Sequence, residues 1–243
     1  MKTRTQLNKQ KKIRRHILIA VFLVLVLAGA FFYKKTHKFL DDEVVYNFVP
    51  NRKVLSAPEI QQNPELPNGC EVTSLAMLLN YYHHNVTKMQ LSGQVKHVSS
   101  FPGGGYRGNP NSGFVGYMSI ANAGWCVFHG PLTTLAKRYD ARAVDYSGSS
   151  FKQVLIQVSR GKPVVVWTSL KFRPVNDMQT WKTRQGKVHV TPSSHCVLVT
   201  GYDKRKQLIY INDPLGGKND AVPMLPFEEG YDQQGQQAVF INR

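Results

Sequence analysis

Three residue types that together can run acyl transfer occur along this chain in order: a cysteine at 70, a histidine at 195 and an aspartate at 213. A thiol becomes a strong nucleophile on losing its proton. An imidazole can take that proton near neutral pH, and a carboxylate can hold the other ring N–H and so set the tautomer. Cys70 follows a tight Pro67-Asn68-Gly69 lead-in and opens a segment in which Val72, Leu75, Ala76, Leu79 and Tyr82 recur at helical spacing. A thiol in the first turn of a helix faces unpaired backbone N–H groups and the positive dipole end, which favours the thiolate. The same place also suits a small buried apolar residue, so position alone leaves both readings of Cys70 open. Asn68 is placed to cap this helix, with Glu71 three residues on as in a capping box. Gln62 lies eight residues before Cys70, and its amide could join the Cys70 backbone N–H in binding an oxyanion. Gln61 is the neighbouring candidate.

The elements that must position these groups can be read next. Segments 195–202 and 207–213 are apolar runs separated by Asp203-Lys-Arg-Lys206, which predicts a hairpin. If its turn holds an odd number of residues centred on Lys204, His195 pairs directly with Asp213 and both project from one face. An even turn places them on opposite faces. Taken singly, each is equally a strand-start histidine and an Asp-Pro turn residue. Residues 101–116 are rich in Gly, Pro and Asn and predict a loop. Helices are expected at 131–139 and Phe151–Ser159, and a strand at Pro163–Trp167. Trp125, Trp167 and Trp181 are expected in the core or lining a cleft, and His83 and His84 facing solvent.

The 243 residues carry a formal charge of +16. Ten of the 31 Lys and Arg lie within residues 1–38, which hold no acid, leaving 21 basic against 15 acidic residues in the rest. No basic stripe interleaved with aromatics appears, which argues against a nucleic-acid partner. Residues 17–33 are uncharged, with seven Lys or Arg before them and Lys34, Lys35 and Lys38 after. This pattern predicts a membrane helix whose more basic flank stays inside, so that the C-terminal domain faces outward. A cleaved signal peptide is the alternative, with Ala28-Gly29-Ala30 as its site; Phe31 and Phe32 just beyond argue against it. The expected organisation is a basic tail at 1–16, an anchor at 17–33, a stalk at 34–57 containing extended pieces at Val44–Phe48 and Val54–Leu55, and one α+β domain at 58–243. Cys70, Cys126 and Cys196 are too few for a disulfide framework. Cys126 and His129 form a single C-x-x-H pair without a second, so no metal is expected, and no cofactor motif appears.

Gln62-Asn-Pro-Glu-Leu-Pro-Asn-Gly-Cys70-Glu-Val-Thr-Ser resembles the nucleophile segment of papain-like peptidases. It is most similar to family thirty-nine of the cysteine peptidases, the double-glycine leader peptidases that mature bacteriocins, in their stand-alone extracellular branch. Asn109–Gly116, Gly161–Trp167, His195–Tyr202 and Tyr210–Pro214 extend the resemblance over about residues 58–215. It implies a papain-like fold, a Cys-bearing helix on a mostly antiparallel sheet. It implies Cys70 as nucleophile, His195 as base and then acid, Asp213 as orienting carboxylate, with Asn212 as alternative, and Gln62 as oxyanion donor. The implied partner is a peptide or protein substrate. The chain has no G-x-x-x-x-G-K-[ST] motif and so differs from transporter-fused members. A catalytically silent envelope-binding module and an acyl transferase on the same fold are the competing expectations. Neither the substrate nor the oligomeric state is legible.

Overall fold

The computed structural model describes residues 42–243 together with residues 16, 20, 21, 23–27 and 29. Residues 1–15 of the expected tail, most of the expected anchor at 17–33 and residues 34–41 lie outside the described residues. Those anchor positions that are described are helical, and among the described residues no helix is long and apolar enough to cross a membrane.

The chain divides into two compact units, Met1–Phe48 and Val49–Arg243. In the first, residues 42–48 are helical, not extended as their β-branched Val44-Val45 suggested.

The second unit is built on a seven-stranded sheet. Its strands are β1 (Arg52–Val54), β4 (Ala143–Asp145), β5 (Val164–Ser169), β8 (Ser194–Asp203), β9 (Leu208–Asn212), β10 (Asp220–Pro223) and β11 (Ala238–Ile241). The order is β10-β9-β8-β5-β11-β4, all antiparallel, and β1 pairs with the far end of β8. Strand β1 therefore takes residues assigned to the stalk into the domain. Gly201 of β8 permits this: a Cβ there would lie 2.5 Å from the Lys53 carbonyl oxygen. Two small sheets complete the fold, the parallel pair β2 (His97–Val98) with β3 (Phe114–Val115), and the hairpin β6 (Gln179–Thr183) with β7 (Gly186–Val190).

Both faces of the central strands are covered, which is why Val-Val-Val-Trp in β5 is a continuous apolar run with every side chain buried. On one face Val165, Trp167, Cys196 and Leu198 join the main core with α1 (Cys70–Tyr81), α2 (Lys88–Gln94) and α3 (His129–Ala136). The alternate residues Val164, Val166, Val197 and Val199 are equally buried. Helices α4 (Phe151–Ser159) and α5 (Met224–Gln233) pack on β5, with α4 also on β8 and α5 on β9 and β10. Helix α4 has the expected bounds because Ser150 and Gln153 form a capping box at its start. Helix α3 begins two residues before the expected 131.

Candidate active site

Cys70 is the first residue of α1, and α1 starts where it does because Gly69 packs directly on Leu66; a Cβ at 69 would lie 2.6 Å from the Leu66 Cβ. Neither expected capping group caps. The Asn68 amide donates instead to the Tyr117 and Ile120 carbonyls, at 3.1 and 2.7 Å. Glu71 points into the core, 1% exposed, and accepts the Val127 backbone N–H at 3.0 Å. Both side chains thus tie loop 116–127 to the beginning of the helix. Glu71 takes this distant donor because a buried carboxylate left without one is costly.

The Cys70 thiol donates to Glu71 Oε2 at 3.4 Å. Burial pushes it well above the usual thiol range, and the nearby Glu71 carboxylate and Cys196 push further in the same direction. Desolvation and a carboxylate next to the sulfur thus act against the lowering expected from the helix start. Glu71 is itself raised to about 7 by burial.

His195 stands near the start of β8, 2% exposed, and its Nε2 lies 2.6 Å from Asp213 Oδ1. Direct pairing of 195 with 213 is not what brings them together. The hairpin turn has four residues, 204–207, the even case that would separate the two. One extra residue, Thr200, bulges from β8 between the Val199–Ile211 and Gly201–Tyr210 pairs. Below the bulge Leu198 pairs with Asn212, so position 213 falls beside Val197, on the face of His195 and diagonal to it. Asp213 is steadied by the Leu215 N–H, which donates to Oδ1 at 3.0 Å. Burial works to raise the Asp213 carboxyl, but the hydrogen bond and charge of His195 prevail and hold it below the usual range. Asn212 does not reach the histidine. Its amide donates to the Ala57 and Pro58 carbonyls, at 3.3 and 2.9 Å, and its Oδ1 accepts the Asn219 N–H.

Gln62 is 2% exposed and held from several sides. Its N–H donates to the Pro214 carbonyl, the Lys88 ammonium donates to its carbonyl, and its Nε2 donates to the Pro67 carbonyl at 2.7 Å, which leaves one amide hydrogen. Gln61 is exposed and bonds Glu59 and the Gly216 carbonyl. Cys70, His195 and Gln62 line one cavity of about 330 Å³, and Asp213 stands behind His195. All four sequence candidates therefore meet at one place. Trp125, Leu170, Pro192 and Leu215 also line it, contributed by loops with no periodic signal.

Other expectations divide. His83 is exposed, whereas His84 bonds the buried Asp140 at 3.1 Å. His129 Nδ1 pairs with the Asp145 carboxylate. Trp167 is in the core, its Nε1 donating to the Val127 carbonyl, while Trp125 lines the cavity.

A cysteine-bearing helix set against an antiparallel sheet that carries histidine and aspartate is the architecture of papain-like cysteine peptidases. Residues 54–239 match the Peptidase_C39 like family, and the chain belongs to it. It is 46% identical over 181 residues to YvpB, an uncharacterized protein of Bacillus subtilis strain 168, covering 74% of this chain and 71% of that one. A crystal structure of a candidate C39-like peptidase from Bacillus anthracis is similar at 42% identity, with a TM-score of 0.76, covering 79% of this chain and 98% of that one.

Proposed function

We propose that this protein is a cysteine peptidase that hydrolyses peptide bonds through Cys70, His195 and Asp213, with Gln62 as oxyanion donor. The observation that carries this reading is the 2.6 Å contact between His195 Nε2 and Asp213 at a cavity that Cys70 also lines. With Nε2 committed to the carboxylate, Nδ1 is the ring nitrogen left for proton transfer; it has no hydrogen-bond partner among the described residues. Because burial keeps the thiol protonated at rest, attack and deprotonation go together. His195 takes the thiol proton as sulfur bonds to the scissile carbonyl carbon. The carbonyl electrons move onto oxygen, which the Cys70 backbone N–H and the remaining Gln62 amide hydrogen stabilise. Collapse breaks the C–N bond, and the imidazolium gives its proton to the departing amine. Water, deprotonated by His195, then cleaves the thioester to a carboxylate and restores the thiol.

The uncharged run at 17–33 with its basic flank supports a membrane anchor that holds the domain outside the cell. The test is to incubate the full chain and its Cys70→Ala variant with a peptide library and read products by mass spectrometry. Cleavage that disappears in the variant is the expected result. Cleavage that persists, or intact peptides with the unaltered chain, argues for another role, with the silent binding module first among them.

A further inference from the structure

Glu71 is a buried carboxylate with no part in the proton transfers between Cys70 and His195. It sits 1% exposed in the first turn of α1, and among the described residues no Lys, Arg or His pairs with it. The groups that titrate around it are three thiols: Cys70 on its own helix, Cys126 in the loop before α3, and Cys196 on β8. A carboxylate taken out of water without a cation needs donors on both oxygens. Oε1 receives the Val127 backbone N–H at 3.0 Å, and Val127 is itself fixed, since its carbonyl accepts the Trp167 Nε1–H at 3.0 Å. Oε2 receives the Cys70 thiol, at 3.4 Å, and no other donor among the described residues. The carboxylate is thereby held against the nucleophile, and loss of the thiol proton would put two negative charges side by side in the core. One contact works the other way: the Cys196 backbone N–H faces the Cys70 sulfur and favours the thiolate.

Resting on the peptidase reading, we propose that Glu71 guards the nucleophile: its carboxylate keeps Cys70 a thiol while the cleft is empty and yields the proton to His195 in the attack on a substrate carbonyl. The sulfur–carbon bond forms as the S–H bond breaks and the proton passes to the imidazole. Glu71 Oε2 is then without its donor until hydrolysis of the thioester returns the S–H. An empty cleft thus presents a weak nucleophile to electrophiles from the solvent. The guard acts where Glu71 is ionised and lapses where it is protonated.

The test measures iodoacetamide alkylation of Cys70 in the full chain and in its Glu71→Gln variant between pH 5 and 9, by mass spectrometry. Glutamine keeps an acceptor for the Val127 N–H and carries no charge. Above pH 8 the variant should react about tenfold faster or more, the effect of lowering the thiol by about one pH unit. Below pH 6 the two rates should converge, because Glu71, raised to about 7, is then protonated. Cys126 and Cys196 should stay unreactive in both proteins. Equal Cys70 rates across the range, or a gain that Cys126 and Cys196 share through a loosened core, overturn the guard. Peptide cleavage is scored in parallel. The guarded alkylation profile in a chain that cleaves no peptide keeps the guard and overturns proteolysis; cleavage with equal alkylation rates overturns the guard alone.

Discussion

His195 and Asp213 touch at 2.6 Å although neither is the other's partner in the strand register. The single bulge at Thr200 reverses the parity set by a four-residue turn. Thr200 Oγ1 lies 2.7 Å from Asn219 Oδ1 and 3.2 Å from the Tyr210 carbonyl oxygen, and these contacts hold the extra residue in place. Deleting Thr200 should therefore move Asp213 to the opposite face from His195. A milder change tests the same contact. A Cβ at Gly216 would lie 2.7 Å from Asp213 Oδ2, so Gly216→Ala should displace the carboxylate. Peptide cleavage should fall by about 10²-fold or more in Asp213→Ala, and partly so in Gly216→Ala. Unchanged kcat in both would remove Asp213 from the mechanism.

Gln62 gives a second expectation. If its free amide hydrogen meets the developing oxyanion, Gln62→Ala should lower kcat by about 10²–10³-fold while KM moves little. A rise in KM at constant kcat would make it a ground-state binding residue.

Glu71 makes stability depend on pH. Its carboxyl is raised from an ordinary 4.5 to about 7 by burial, so folding favours the protonated form. Its stabilising contribution is complete below about 4.5 and is lost as pH rises toward 7. Glu71→Gln keeps an acceptor for the Val127 N–H and cannot ionise. Between pH 4 and 8 the unaltered chain should lose roughly 3 kcal/mol relative to this variant, read from denaturant midpoints. Parallel pH profiles would contradict the assignment.

Asp140 separates stability from chemistry. Its buried carboxylate takes Arg142, Arg243 and His84, tying the C-terminus to the end of α1, and Arg142 foremost holds it far below the usual range. Asp140→Ala removes all three contacts and, because both arginines reach solvent, should cost roughly 1–2 kcal/mol of stability. Peptide cleavage by the folded fraction should be unchanged.

How much of this was legible varies with how local each signal is. Helix α4 could be read to the residue because its apolar pattern is bounded by Ser150 and by Gly161 and Pro163. Cys70, His195, Asp213 and Gln62 could be picked out by type, order and resemblance, and Asp213 over Asn212 likewise. The bulge at Thr200 could not, since it depends on β1 docking at Gly201 and on Asn219, both distant in sequence. Glu71 was misread as a cap because the Asn68-to-Glu71 spacing fits one, while Val127, the partner it takes, lies 56 residues away.

The central claim is that Cys70 and His195 act as one unit, and alkylation measures it most directly. The full chain and its His195→Ala variant are treated with iodoacetamide at pH 7, and modification of each cysteine is followed by mass spectrometry. Cys126 and Cys196, at 2% and 0% exposure, provide internal controls. The account predicts that Cys70 reacts first and that the variant slows it by at least about tenfold. Equal Cys70 rates in the two proteins would contradict it.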